Sequence, residues 1–337
     1  MKRRVLIVYA GGTIGMQPSD RGYIPMKGFH KHLDSFFRAR GLKHLPSFDI
    51  IECQELIDSS NLLPKDWTAL CQLLMQHWDE YDGFVLLHGT DTMAYTASML
   101  SFMLQGLNKP IILTGSQIPM MEARSDASEN LIASILAAGN LNIPEVCILF
   151  ANRILRGNRS TKIKSAGFDA FDSPNYPWLG NIGINIDIQD PLLLSKRVPC
   201  YLAPSFDQDA VAVLQTYPGI STNILTAVLD QPGIKGLILQ TYGAGNPPDA
   251  NKDFIKALEE ASKRNIITLN ITQCTYGAVS QGTYATGATL NSIGVVAGAD
   301  LTLEAAFTKL HFLLSQNLSV DKIRQKLRTP LAGEMTV

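Results

Sequence analysis

The chain has 337 residues, 46% of them apolar and 18% charged, with a formal net charge of −1. That length suggests two domains and supplies ample apolar material for a core. A charge so near zero argues against nucleic acid as a main partner, and no run reaches the ~18 consecutive apolar residues of a membrane helix.

The first element follows "MKRR", which with "VLIVYA" imitates a secretory signal. The apolar run stops at Ala10, before Gly11 and Gly12, and is shorter than the roughly 7–15 residues of a signal core. It reads as a first strand over 4–10, which leaves a cytoplasmic location as the default expectation. His30 and His32 flank Lys31 in a polar segment without a third ligand, so no metal site is expected there. "FDIIECQELI" (48–57) reads as a strand. Pro64 opens a helix in which Trp67, Leu70, Leu74 and Trp78 share one face.

"GFVLLHG" (83–89), "PIILTGS" (110–116) and "EVCILFAN" (145–152) are short continuous apolar runs. Continuous apolarity fits strands buried on both faces, as in a parallel sheet. Between them, 92–106 predicts a helix behind Asp91 as a capping residue, and 126–140 predicts another that ends at Gly139. This βαβα order predicts an α/β fold with right-handed crossovers. Prolines at 174, 177, 191, 199 and 204 mark an edge or hairpin region and then a linker. Beyond it the alternation resumes and ends in helices near 303–316 and 319–328. The expected division is an N-terminal domain over 1–190, a linker over 191–210 and a smaller α/β domain over 211–337. Five scattered cysteines without CxxC spacing read as small buried core residues.

"VLIVYAGGTIGM" (5–16) poses the functional question, because a glycine-rich turn after a strand can cradle a phosphate. A P-loop needs a lysine followed by Ser or Thr after its second glycine, and this stretch has none. A dinucleotide loop needs G-x-G-x-x-G opening a helix, whereas "MQPSDRGYIP" is rich in turn formers. The other reading is that the glycines clear space around Thr13 for a ligand. Thr13 has company at other strand ends: Asp58, Ser59 and Ser60; Gly89, Thr90 and Asp91; Gly115 and Ser116; Thr161 and Lys162. Ligands bind beyond the carboxyl ends of parallel strands, so five such groups favour a site.

"GGTIGM", "HGTDTMAYTA" and "RGNRSTK" resemble the bacterial-type L-asparaginases, over essentially the whole chain. "YIPM" and the "GFDAF" stretch are most similar to the cytoplasmic type I enzymes. The resemblance implies an asparaginase/glutaminase-like fold, with a parallel-sheet N-terminal domain and a smaller α/β C-terminal domain. It implies a homodimer or homotetramer that hydrolyses L-asparagine to aspartate and ammonia without metal or cofactor. It assigns Thr13 as the nucleophile, Tyr23 as the loop tyrosine that hydrogen-bonds it, and Thr90, Asp91 and Lys162 as a second catalytic group. Asp58, Ser59, Ser60, Gly89 and Ser116 are implied to hold the substrate. An effector asparagine site is implied near Thr161, Gln240 and Cys274. Some relatives carry arginine where Gln240 stands, and glutamine lacks the bidentate guanidinium grip on a carboxylate. Weak or rearranged substrate activation is therefore expected.

A threonine hydroxyl is a weak nucleophile and must give up its proton as it attacks. Tyr23 can relay that proton, and so can a neutral Lys162 through Thr90. Asp91 favours the charged form of Lys162 and desolvation the neutral form, so the sequence leaves both bases open. Two other function classes are an ammonia-channelling amidotransferase subunit and an asparagine sensor without turnover. The former is expected to carry an added N-terminal domain, and the latter to lack Thr13 or Lys162.

Overall fold

The computed structural model describes residues 3–20, 22–42, 44–281 and 285–336. Met1 and Lys2 of the basic start, and Arg21 beside Tyr23, lie outside the described residues. The chain divides into two compact units, Met1–Ala203 and Pro204–Val337.

In the first unit the elements run β1 (Arg4–Gly11), β2 (Met16–Ser19), β3 (Gly22–Pro25), α1 (Phe29–Arg40), β4 (Ser47–Ile57), α2 (Pro64–Gln76) and β5 (Gly83–Leu87). Then come α3 (Met93–Met103), β6 (Leu104–Gln105), β7 (Ile111–Thr114), α4 (Ala127–Asn140), β8 (Val146–Phe150) and β9 (Arg153–Arg156). The unit closes with β10 (Thr161–Lys162), β11 (Phe171–Asp172), β12 (Gly180–Ile182), β13 (Ile186–Ile188) and β14 (Cys200–Tyr201).

One sheet orders its strands β13-β12-β9-β8-β7-β5-β1-β4. From β4 to β8 the neighbours are parallel, and from β8 to β13 they are antiparallel. The continuous apolar runs are the central strands, and Val5–Ala10 and Gly83–Leu87 are buried throughout. Helix α3 is buried on almost all sides, which explains why its sequence carries little amphipathic pattern.

Three expectations need correction. Helix α1 occupies the segment read as polar, with Phe29, Leu33 and Phe37 buried at i, i+4 and i+8. Residues 191–203, expected within a linker, lie in the first unit, where Cys200–Tyr201 pairs with β6. All five cysteines are free, but only Cys71 and Cys147 are buried; Cys53 is intermediate, and Cys200 and Cys274 are exposed.

The second unit contains β15 (Val211–Gln215), α5 (Thr222–Leu229), β16 (Gly236–Thr241), α6 (Lys252–Lys263) and β17 (Ile267–Thr272). It ends with α7 (Ala285–Ser292), β18 (Val296–Ala297), α8 (Leu303–Leu314) and α9 (Val320–Leu327). Among the described residues its four strands form one parallel sheet, ordered β15-β16-β17-β18. One apolar cluster joins that sheet to α8 and α9, and a second joins it to α5 and α6.

Candidate active site

The carboxyl ends of β4, β1, β5 and β7 lie side by side, because these strands are parallel neighbours. Asp58–Ser60, Thr13, His88–Asp91 and Gly115–Ser116 follow those four ends. Thr13 opens a 3-10 turn over Thr13–Gly15. It is half-buried, and among the described residues its hydroxyl has no hydrogen-bond partner.

The glycines of this loop have a different job from the one expected. A Cβ on Gly11 would lie 2.3 Å from the Ile57 carbonyl oxygen, and one on Gly12 would lie 2.3 Å from the Gly89 nitrogen. Both residues also have positive φ, 122° and 88°. A Cβ on Gly15 would meet the Tyr9 hydroxyl, which donates to the Gly15 carbonyl at 3.1 Å. The space is filled by the protein's own atoms, not cleared for a ligand. The glycines let three strand-end loops touch, and that contact fixes Thr13 beside the Gly89–Thr90 backbone.

Lys162 reaches the same place by another route. It was expected after a fifth strand end of the sheet. However, β9 runs antiparallel, so its carboxyl end at Arg156 falls on the opposite edge. Lys162 comes instead from the separate β10–β11 pair. Its Nζ donates to Thr90 Oγ1 at 2.8 Å and to Asp91 Oδ1 at 2.7 Å. The lysine side chain is 19% exposed and the Asp91 side chain 61%. Asp91 does not cap α3, as had been expected: the N-cap is Thr92, and the Asp91 carboxylate serves Lys162.

Thr90, 6% exposed, donates onward to Gln117 Oε1 at 3.4 Å. Gln117 Nε2 in turn donates to the Ser165 and Gly167 carbonyls, at 3.2 and 3.0 Å. Gln117 thus ties Thr90 to the loop beyond Lys162. Sequence reading missed it, although it directly follows the Gly115-Ser116 strand end. Asp126 anchors the same turn by accepting from the Gln117 and Ile118 N–H groups.

Tyr23 sits on the β2–β3 hairpin, opposite Pro18, and is 50% exposed. Its hydroxyl donates to Glu122 Oε1 at 2.8 Å, whereas a bond to Thr13 was expected. That bond to a carboxylate favours the protonated phenol and raises its pKa above the ordinary value. In this arrangement Tyr23 is a committed donor and not a base.

Asp58 caps the turn Ser59–Asn61, accepting from Ser60 N at 3.2 Å and from Asn61 Nδ2 at 3.3 Å. Ser59 is buried, with its hydroxyl packed against Gly89, while Ser60 is exposed. Ser116 is fully buried and its hydroxyl donates to the Ile118 carbonyl at 2.6 Å. Its hydroxyl is therefore committed to its own turn, where a part in holding the substrate was expected. Of the expected effector residues, Thr161 belongs to the first unit, and Gln240 and Cys274 to the second. Gln240 lies near the end of β16, and Cys274 lies two residues beyond β17. The Gln240 carbonyl accepts from Thr216 and from Gln273 Nε2, which knits the strand ends together.

Residues 4–193 match the family model for the asparaginase N-terminal domain, and residues 210–327 match that for the glutaminase/asparaginase C-terminal domain. The chain belongs to the asparaginase family. It is 47% identical to L-asparaginase 1 of Escherichia coli strain K12, over 99% of this chain and 98% of that protein. It is 40% identical to the 60 kDa lysophospholipase of Homo sapiens, over 99% of this chain and 62% of that protein. The solved structure of L-asparaginase I from Vibrio cholerae superposes with a TM-score of 0.91 at 43% identity, covering both chains fully. In this chain Thr13 and the Thr90–Asp91–Lys162 group come from separate segments, after β1, after β5 and in β10. The Gly12–Gly89 contact brings the first two together.

Proposed function

We propose that this chain is an L-asparaginase: an amidohydrolase that converts L-asparagine to L-aspartate and ammonia through a threonine-linked acyl-enzyme. The observation that carries the reading is the Lys162–Thr90–Asp91 chain of hydrogen bonds, drawn from 72 residues apart and lodged beside the loop of Thr13. The family relationship supports it.

Thr13 Oγ attacks the side-chain amide carbon and loses its proton as the C–O bond forms. The oxyanion accepts from backbone N–H groups at the glycine turns; among the described residues the Thr90 N–H has no other acceptor. Collapse breaks the C–N bond, and ammonia leaves with the transferred proton. Water then adds to the ester and regenerates the Thr13 hydroxyl. A route for these protons runs through Thr90 to Lys162 once the Thr90 hydroxyl turns from Gln117 toward Thr13. Tyr23 joins only after its hydroxyl leaves Glu122. Asp58 and Asp91 supply carboxylates for the substrate ammonium, while Ser59, Ser60 and the Gly89 backbone supply donors for its carboxylate.

Ammonia release from asparagine and glutamine by the purified chain is the test, with turnover of asparagine as the expected result. No release from either amide overturns the reading.

We also infer a cytoplasmic, homodimeric or homotetrameric enzyme, on the resemblance to type I asparaginases. Position 240, where some relatives carry arginine, holds Gln240, so the arginine fork for an effector carboxylate is missing there. The asparagine saturation curve is accordingly expected to be close to hyperbolic. A strongly sigmoidal curve that Gln240→Ala abolishes would refute this.

A further inference from the structure

We propose that Trp67, Thr96 and His88 form a buried positioning chain that sets the Gly89–Thr90 peptide and so aims the Thr90 N–H at the reacting carbonyl. The proposal rests on the reading of this site as an amidohydrolase. Helix α2 supplies Trp67, α3 supplies Thr96, and His88 follows β5.

Trp67 Nε1 donates to Thr96 Oγ1 at 3.2 Å, Thr96 Oγ1 lies 3.0 Å from His88 Nε2, and His88 Nδ1 lies 2.8 Å from the Gly89 carbonyl oxygen. The two ends of this chain fix its protons. An indole N–H only donates, and a carbonyl oxygen only accepts. His88 Nδ1 must therefore carry a proton. In the neutral ring Nε2 is then an acceptor, which the Thr96 hydroxyl satisfies. A second proton on Nε2 would face a hydroxyl already accepting from Trp67 and would leave the hydroxyl proton without this acceptor. His88 and Thr96 are both buried, so that mismatch is costly. Burial also holds the imidazole below its ordinary pKa.

The consequence reaches the site through peptide planarity. In a trans peptide the C=O and the following N–H point opposite ways. With the Gly89 carbonyl held toward the His88 ring, the Thr90 N–H points away from it, and among the described residues it meets no acceptor. Any other residue at position 89 would displace its neighbours, because a Cβ there would lie 2.3 Å from Ser59 Oγ and 3.3 Å from Gly12 Cα. A glycine, however, leaves the peptide free to turn. The His88 bond removes the freedom that this close approach demands. His88 touches no reacting atom; it acts through the peptide.

The test compares the wild-type chain with His88→Leu, Thr96→Val and His88→Asn in steady-state asparagine hydrolysis, with thermal melts and ¹⁵N spectra of the histidine ring. Loosening an oxyanion donor without deleting it is expected to lower kcat about tenfold in His88→Leu and Thr96→Val, with KM within about twofold. The Asn Nδ2–H stands in for the Nδ1–H, so His88→Asn is expected within about threefold of wild type. The wild-type ring is expected as the neutral Nδ1–H tautomer at neutral pH. A Thr96→Val variant that folds and keeps wild-type kcat overturns the proposal, as does a rise in KM at unchanged kcat or an Nε2–H tautomer. If wild type releases no ammonia, the amidohydrolase reading fails instead, and the ring tautomer still reports on the hydrogen-bond chain.

Discussion

Thr13→Ala is expected to lower kcat for asparagine by at least about 10⁴-fold, since removing a nucleophilic hydroxyl deletes the covalent route and leaves only binding and oxyanion stabilisation. The fold has little at stake in that hydroxyl. Thr13 is half-buried, and its side chain makes no hydrogen bond among the described residues. The position of the loop depends instead on the Gly11, Gly12 and Gly15 contacts and on Tyr9. The melting temperature of the variant should therefore match wild type, and aspartate should bind within about threefold, because truncation outside a packed core or cap is usually worth under ~0.5 kcal/mol. Thr13→Ser, which keeps the hydroxyl, is expected to retain measurable turnover. Ammonia release undiminished in Thr13→Ala would remove Thr13 as nucleophile. A variant that also loses aspartate binding would assign it a binding role instead. The paired measurement matters because Lys162 behaves differently. Its Nζ holds both Thr90 and Asp91, so its loss disturbs the position of two other groups and blurs chemistry with geometry.

What the sequence disclosed follows from how each signal arises. Central strands such as Val5–Ala10 and Gly83–Leu87 are buried on both faces, and continuous apolarity has few other causes at that length. Thr13, Asp58 and Thr90 could be placed at one edge because parallel neighbours put all their carboxyl ends there. Lys162 could not be placed by that logic. Strand β9 reverses direction, and nothing local in "RILRGN" distinguishes an antiparallel strand from a parallel one. Helix α1 is hard to see in the sequence because its two histidines and several charges obscure the Phe29–Leu33–Phe37 stripe, although the 3.6-residue period is present. Gln117 and His88 were invisible for a deeper reason. Their roles lie in hydrogen bonds to Thr90, Gly89 and Thr96, which depend on loop geometry and leave no periodic trace. The glycines stand out in the sequence, but the reason for them does not. Clearance for a ligand and clearance for a neighbouring backbone look the same in sequence, and only the 2.3 Å approaches separate them.

In the second unit, Lys309→Met or Glu334→Gln is expected to destabilise the fold by about 3–5 kcal/mol, the usual consequence of breaking one side of a buried ion pair. Lys309 on α8 lies 2.7 Å from Glu334 Oε1, and both side chains are wholly inaccessible to solvent. Desolvation lowers the pKa of Lys309 below the ordinary lysine value, and the attraction of Glu334 works against that. The network is close to saturated. Lys309 Nζ also donates to the Leu327 and Thr329 carbonyls, just where α9 ends. Glu334 accepts the N–H groups of Leu331 and Ala332 as well. Losing the ammonium therefore strands a buried carboxylate together with two helix-end carbonyls, and losing the carboxylate charge leaves the ammonium without its counter-ion. Losses of that size correspond to a fall in melting temperature of roughly 10 °C or more. The double replacement Lys309→Met with Glu334→Leu removes both charges at once and is expected to cost less than the two single losses added together. Single variants that melt within about 1 kcal/mol of wild type, or a double variant that is fully additive, would mean that the pair contributes nothing as a unit. Thr13, Thr90 and Lys162 all lie in the first unit. Loss of activity in these variants should therefore follow the loss of folded protein, with kcat per folded molecule unchanged.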